Sequence, residues 1–150
     1  ARRGVADRVR FAGALSDADL AETLAGSHVS AMPSRHEGFG IASLEGMAFG
    51  LPAVASAAGG ARSLVTHGED GFLVPPGGAG AVASALGALA TDRERLARMG
   101  RAARARFEAH PDWPAVAERV RAFLVAVHEG RAGEGDPDGP FAATPGVDRS

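Results

Sequence analysis

Pro33-Ser-Arg-His-Glu37-Gly-Phe-Gly40-Ile-Ala-Ser-Leu-Glu45-Gly-Met-Ala-Phe-Gly-Leu-Pro52 reads as the end of a strand, a glycine-rich loop and a helix. The apolar run at residues 29–32 stops at Pro33, and Ile41, Leu44 and Ala48 recur at helical spacing, predicting one apolar face. A chain that turns from a strand into a helix aims the unpaired N–H groups of the first helical turn, here near Gly40, Ile41 and Ala42, beyond the carboxyl end of the sheet. Anions are the natural occupants of such a place. Gly38 and Gly40 carry no side chain, so the backbone can come close to a phosphate and take positive φ where needed. At about 100° per residue Glu45 falls between Ile41 and Phe49 on the helical wheel, bordering the apolar face. An unpaired carboxylate there must be solvated, paired with Arg, or used to bind hydroxyls. Glu37 precedes the helix by enough chain that the two carboxylates do different jobs and do not form an acid–base pair.

Outward from this segment, residues 51–56 and 71–75 are short apolar runs of the buried-strand type, and residues 9–13 alternate apolar with polar. Helical periodicity fills the gaps. Leu20 and Leu24 lie four apart behind Ser16, a candidate N-cap; Val82, Ala85, Leu86 and Leu89 repeat the spacing after the last strand. Residues 93–109 present Leu96, Met99, Ala103 and Phe107. Residues 112–129, capped by Asp112, present Trp113, Val116, Val120, Phe123, Leu124 and Val127 as a face to be buried. Strands alternating with helices imply an α/β fold with a parallel, Rossmann-like sheet. Residues 1–128 are read as one domain. Residues 129–150, rich in Gly, Pro and Asp, are read as a disordered tail that cannot bury enough surface to offset its ordering entropy.

Composition narrows the chemistry. The 150 residues are 45% hydrophobic and 23% charged with a net charge of -2, the range of one globular domain and not of a non-specific nucleic-acid binder. No cysteine is present, which excludes disulfides and thiolate metal sites and agrees with a cytoplasmic setting. All 16 basic residues are Arg, so chemistry that needs a lysine amine has no residue to perform it. No run of apolar residues is long enough to span a bilayer. The five histidines are scattered without metal-ligand spacing, giving no metal site, and the arginines of residues 93–106 interleave with an apolar stripe, as on a solvated outer face.

The ordered set of Glu37 and Glu45 within Pro-Ser-Arg-His-Glu-Gly-Phe-Gly, the following Met-Ala-Phe-Gly-Leu-Pro52, Gly59-Gly60 and His67-Gly-Glu-Asp-Gly-Phe-Leu-Val-Pro75 closely resembles the retaining glycosyltransferases of family 4. The likeness extends from about residue 5 to residue 128. It implies the C-terminal, donor-binding part of a GT-B enzyme that transfers a sugar from a nucleotide-diphosphate donor with retention, and with neither metal nor other cofactor. It assigns Glu37 as the catalytic-site carboxylate that holds donor-sugar hydroxyls. Gly38, Phe39, Gly40 and Ile41 would present the backbone to sugar and diphosphate. Glu45 would accept from the ribose hydroxyls, and Gly13 and Leu15 would lie near the base. The family's Arg and Lys phosphate clamp has no lysine here to supply it, and Ser63 and Gly46 stand where the family usually has Glu and Ala.

By the same likeness the sequence starts after the domain's first two strand–helix units. In the order 3-2-1-4-5-6 its four strands would be numbers three to six. The chain is then expected to be a fragment, inactive alone and prone to self-association, that needs an N-terminal domain or partner chain. The alternative reading is a non-catalytic fragment or subunit that binds sugar nucleotide or a partner without transfer.

Overall fold

A computed structural model describes residues 4–130. After a single 3-10 turn at Ala6–Arg8 the chain forms α1 (Asp17–Ala25), β1 (Ser30–Met32), α2 (Ile41–Ala48), β2 (Ala53–Ser56), α3 (Ala61–Leu64), β3 (Gly71–Val74), α4 (Ala79–Thr91), α5 (Arg93–Ala109) and α6 (Trp113–His128). The three strands form one parallel sheet in the order β1-β2-β3, with Ala31 opposite Val54 and Val54 opposite Phe72. This is the α/β architecture expected from the alternation of elements, and its order is that expected of strands four, five and six.

The central strand explains the layering. All four residues of β2 are buried, and because side chains alternate across a strand, Ala53 and Ala55 face one core while Val54 faces the other. The first core joins them to Met47, Ala61, Leu64, Val65 and Ala103. The second joins Val54 to Val74, Ala85, Leu89 and Met99. α2 covers one face and α4 the other, whereas α5 reaches both, through Ala103 and Met99. A fully buried side chain such as Met47 or Leu89 contributes roughly 1.5–3 kcal/mol.

Helix starts follow the sequence. Ser16 accepts the Asp19 N–H at 3.2 Å, Asp92 that of Arg95 at 2.8 Å, and Asp112 that of Ala115 at 2.9 Å. Of the Arg residues along α5, Arg104 pairs with Glu108 at 2.7 Å and donates to the Ala48 carbonyl at the end of α2. Arg106 crosses to Asp70, 3.1 Å away, and to Thr66 Oγ1. Asp70 is 2% exposed and also accepts the Thr66 N–H at 2.8 Å, so it closes the turn that leads into β3 and ties that turn to α5. Among the described residues no helix is long and apolar enough to cross a membrane.

Three sequence expectations fail here. Residues 9–13 are not a strand: Phe11 is 93% exposed and Val9 about half, because no neighbouring strand accepts their backbone groups among the described residues. Helix α6 forms and is capped as predicted but buries none of its residues, with Trp113 at 83% and Leu124 at 59% exposure. Periodicity established its stripe, which is covered only in part, with Val116 and Phe123 half-buried. In α2 the fully buried residues are Ser43, Gly46 and Met47; of the expected face Leu44 and Ala48 are half-buried, with Leu44 packed against the first core, and Ile41 turns outward at 62% exposure. Gly46 sets that rotation, since a Cβ there would lie 2.6 Å from the Ser30 Cβ, so the helix rests on β1 along its smallest side. The reading of residues 129–150 as a tail falls, from residue 131 onward, outside the described residues; Glu129 caps α6.

Asp70 carries two separable interactions. Asp70→Asn keeps an acceptor for the Thr66 N–H and is expected to cost about 1 kcal/mol in urea denaturation, whereas Asp70→Ala, which strands that N–H, costs about 2–3 kcal/mol. Equal losses would assign the effect to the ion pair alone.

Candidate functional site

The predicted glycine-rich loop lies where parallel sheets place their ligands, beyond the carboxyl ends of the strands. Residues 33–40 leave the end of β1 and enter α2; residues 57–60 leave the end of β2 and enter α3. The two loops meet backbone to backbone. The Gly60 N–H donates to the Gly38 carbonyl at 2.9 Å. A Cβ at residue 59 would fall 1.8 Å from the Glu37 carbonyl oxygen, and one at residue 60 would fall 2.6 Å from the Phe39 Cα. No residue other than glycine fits either position with the loop in place.

Gly40 is the N-cap of α2, at φ 90°, and is buried against Ala61 and Leu64 of α3. Its carbonyl receives the Ser43 N–H at 2.9 Å and the Leu44 N–H at 3.3 Å. The N–H groups of Gly40, Ile41 and Ala42 open the helix and have no acceptor within it, a concentrated positive partial charge at a helix N-terminus.

Around these donors the side chains are open. Phe39 is 50% and Ile41 62% exposed; Glu37 is half-buried, and Glu45 is exposed one turn after Ile41. Phe49, a further turn along, is 42% exposed. Ile41, Glu45 and Phe49 thus form an outward stripe, the reverse of a core-facing edge. Among the described residues none donates a hydrogen bond or ion pair to the side chain of Glu37 or Glu45. The arrangement offers an anion the N–H groups of a helix N-terminus, and offers hydroxyls two nearby carboxylates with spare acceptors.

The structure brings together Glu37, Gly38, Phe39, Gly40, Ile41 and Glu45 in one loop–helix unit. Gly13, at φ 69° in open space, and half-buried Leu15 precede α1, and no hydrogen bond joins them to that unit. Gly59 and Gly60 stand out in the sequence as a doublet after a strand, but their contact with the Glu37 loop was not legible there. His110 was missed altogether: its ring meets that of Phe39 edge to face, with centroids 5.8 Å apart and planes at 74°. Among the described residues no group of three or more His, Asp or Glu is placed to hold a metal ion. A shallow depression of about 380 Å³, bordered by His28, Phe49, Leu51 and Arg101, lies toward the opposite end of the strands and takes no part in this loop.

The family described as "Glycosyl transferases group 1" matches residues 1–106. The chain is 36% identical over 131 residues to a D-inositol 3-phosphate glycosyltransferase of Streptomyces scabiei, covering 87% of this chain and 29% of that protein. It is 37% identical over 128 residues to a GDP-mannose-dependent alpha-(1-6)-phosphatidylinositol monomannoside mannosyltransferase of Mycobacterium tuberculosis, covering 81% and 33%. Among solved structures it superposes on Anabaena HepE in complex with UDP-glucose with a TM-score of 0.75 and 31% identity, over 83% of this chain and 34% of that one. The chain therefore spans about a third or less of the length of the relatives it matches.

Gly59 provides a direct check on the seam between the loops. Gly59→Ala should cost at least about 3 kcal/mol of stability. Gly68→Ala, also at positive φ but with open space around it, should cost only the backbone strain of about 1 kcal/mol. Similar melting temperatures for the two variants would show that the loops separate freely.

Proposed function

We propose that this chain, which belongs to the group 1 glycosyl transferases, forms the donor-binding half of a retaining, metal-independent transferase acting on a nucleotide-diphosphate sugar in the cytoplasm. The observation that carries the reading is the start of α2 at Gly40, Ile41 and Ala42, whose N–H groups have no acceptor within the helix, with Glu37 in the loop before it and Glu45 exposed one turn into it. A diphosphate bears the charge that a helix N-terminus stabilises, and its two substituents, sugar and ribose, both carry hydroxyls. The likeness to HepE, solved with UDP-glucose, and to a GDP-mannose-dependent transferase supports a sugar nucleotide as the ligand.

In this reading Glu37, in the loop, accepts from the sugar hydroxyls. Glu45, one turn into α2, accepts from the ribose, with Ile41 beside it as apolar surface for the nucleoside. The diphosphate sits on these N–H groups. As the bond from the sugar to the phosphate oxygen lengthens, negative charge grows on the leaving phosphate, and preorganised N–H donors stabilise it without rearrangement. The protein holds the donor in reactive geometry while the acceptor hydroxyl loses its proton to the departing phosphate on the same face of the ring. On this reading the basic clamp and the acceptor contacts would come from outside the third of its relatives' length that this chain spans.

Calorimetric titration divides the roles. Glu45→Ala is expected to weaken free UDP or GDP by roughly 1–3 kcal/mol, the scale of hydrogen bonds to a charged acceptor, while Glu37→Ala spares the free nucleotide and weakens only the intact sugar nucleotide. Equal losses of free nucleotide in both variants would refute this assignment.

A further inference from the structure

The contact between Phe39 and His110 has no place in the reading above, and it reaches the donor loop from a distant part of the chain. Helix α5 ends at Ala109 because Pro111 follows: proline disfavours helical geometry in the residue before it, and His110 is accordingly extended, at φ -72° and ψ 131°. Two further bonds hold His110 in place. Its N–H donates to the Phe107 carbonyl at 3.0 Å, and its Nδ1 lies 3.1 Å from the Pro111 carbonyl oxygen. Phe107 packs against the first core, so the end of α5 is anchored.

Through its middle α5 grips the C-terminus of α2. A Cβ at Gly100 would lie 2.7 Å from the Gly50 carbonyl oxygen, and Arg104 donates to the Ala48 carbonyl. The two helices run antiparallel, with residues 100 and 104 at the finish of α2 and residue 110 at its start. Phe39 is half exposed and follows directly on the two residues whose carbonyls touch the Gly59-Gly60 turn, so one of its two flanks is held by backbone and the other by the His110 ring.

We propose that His110 is a positioning residue for the donor loop: its ring buttresses Phe39 and thereby sets where the N–H groups of Gly40 and Ile41 point. The inference rests on the sugar-nucleotide reading for its consequence in binding, but not for its structural part. An edge-to-face pair is the kind of contact that another aromatic ring can replace and an alanine cannot.

The test compares His110→Ala and His110→Phe with the unaltered protein by amide hydrogen exchange at Ser43, Leu44 and Gly60, whose N–H groups donate to the Gly40 and Gly38 carbonyls. In His110→Ala these amides should exchange about tenfold faster while Val54, Ala55 and Ser56 stay unchanged, and His110→Phe should restore them to within about threefold. Unchanged loop exchange in His110→Ala, or acceleration shared equally by the central strand, overturns the proposal. Titration with UDP-glucose and GDP-mannose follows. Affinity about tenfold lower in His110→Ala and recovered in His110→Phe is the expected companion result, and faster loop exchange with unaltered affinity overturns the functional half. Failure of the unaltered protein to bind either nucleotide overturns the sugar-nucleotide reading instead, and the exchange data still decide the role of His110.

Discussion

The site depends on one close approach: the backbone of residues 37–39 lies directly against that of Gly59 and Gly60. These are the loops that leave two adjacent strands, β1 and β2, and parallel strands alone do not dictate how such loops meet. Here the Gly60 N–H holds the Gly38 carbonyl at 2.9 Å, and the space any Cβ at residue 59 would need is already filled by the Glu37 carbonyl. The hydrogen bond itself contributes only about 1 kcal/mol. The larger effect is steric, because contact this close leaves the loop little room to slide. Gly40 then turns the chain at positive φ into α2, and the direction of the N–H groups follows from that turn.

Helix α5 supplies the second constraint, and it acts at both ends of α2. Its middle is fixed by Met99 and Ala103, one in each core, so the helix cannot tilt toward one face of the sheet without opening the other. From that seat it meets Gly50 and Ala48 at the end of α2 and Phe39 before its start. Asp70 adds a third tie, joining the turn before β3 to the same helix through Arg106. The functional loop is therefore held by elements far from it in sequence, as precise placement of donors requires.

What the sequence revealed follows from the range of each signal. The three strands of the sheet, helices α1, α2 and α4 to α6, and the Ser16 and Asp112 caps are local patterns, and each was legible because its cause lies within a few residues. The loop from Glu37 to Ile41 and the position of Glu45 were legible for the same reason. Burial was not. The stripe on α6 and the alternation at residues 9–13 describe which residues share a face, and sequence periodicity carries no information on whether another element covers it. Trp113 and Phe11 show the difference. The outward turn of Ile41 was misread because Ile41 is larger than Gly46, and the wheel weights size; the structure instead follows the clearance to Ser30. His110 could not be found from its neighbours, since its partner belongs to another layer of the fold.

That rotation has a functional consequence. With Ser43, Gly46 and Met47 turned inward, the helix approaches β1 on small side chains, and Met47, flanked by Leu44, is its main contribution to the first core. The opposite stripe, Ile41, Glu45 and Phe49, is left exposed. If Ile41 had also turned inward, Glu45 would have sat at the edge of the core and needed an internal partner. Outside, it stays hydrated and unpaired, with its acceptors available, and two apolar neighbours stand ready to be covered. A short helix can thus support the sheet and present a binding surface at once, because its inner face is built from residues small enough that packing makes no demand on the outer one.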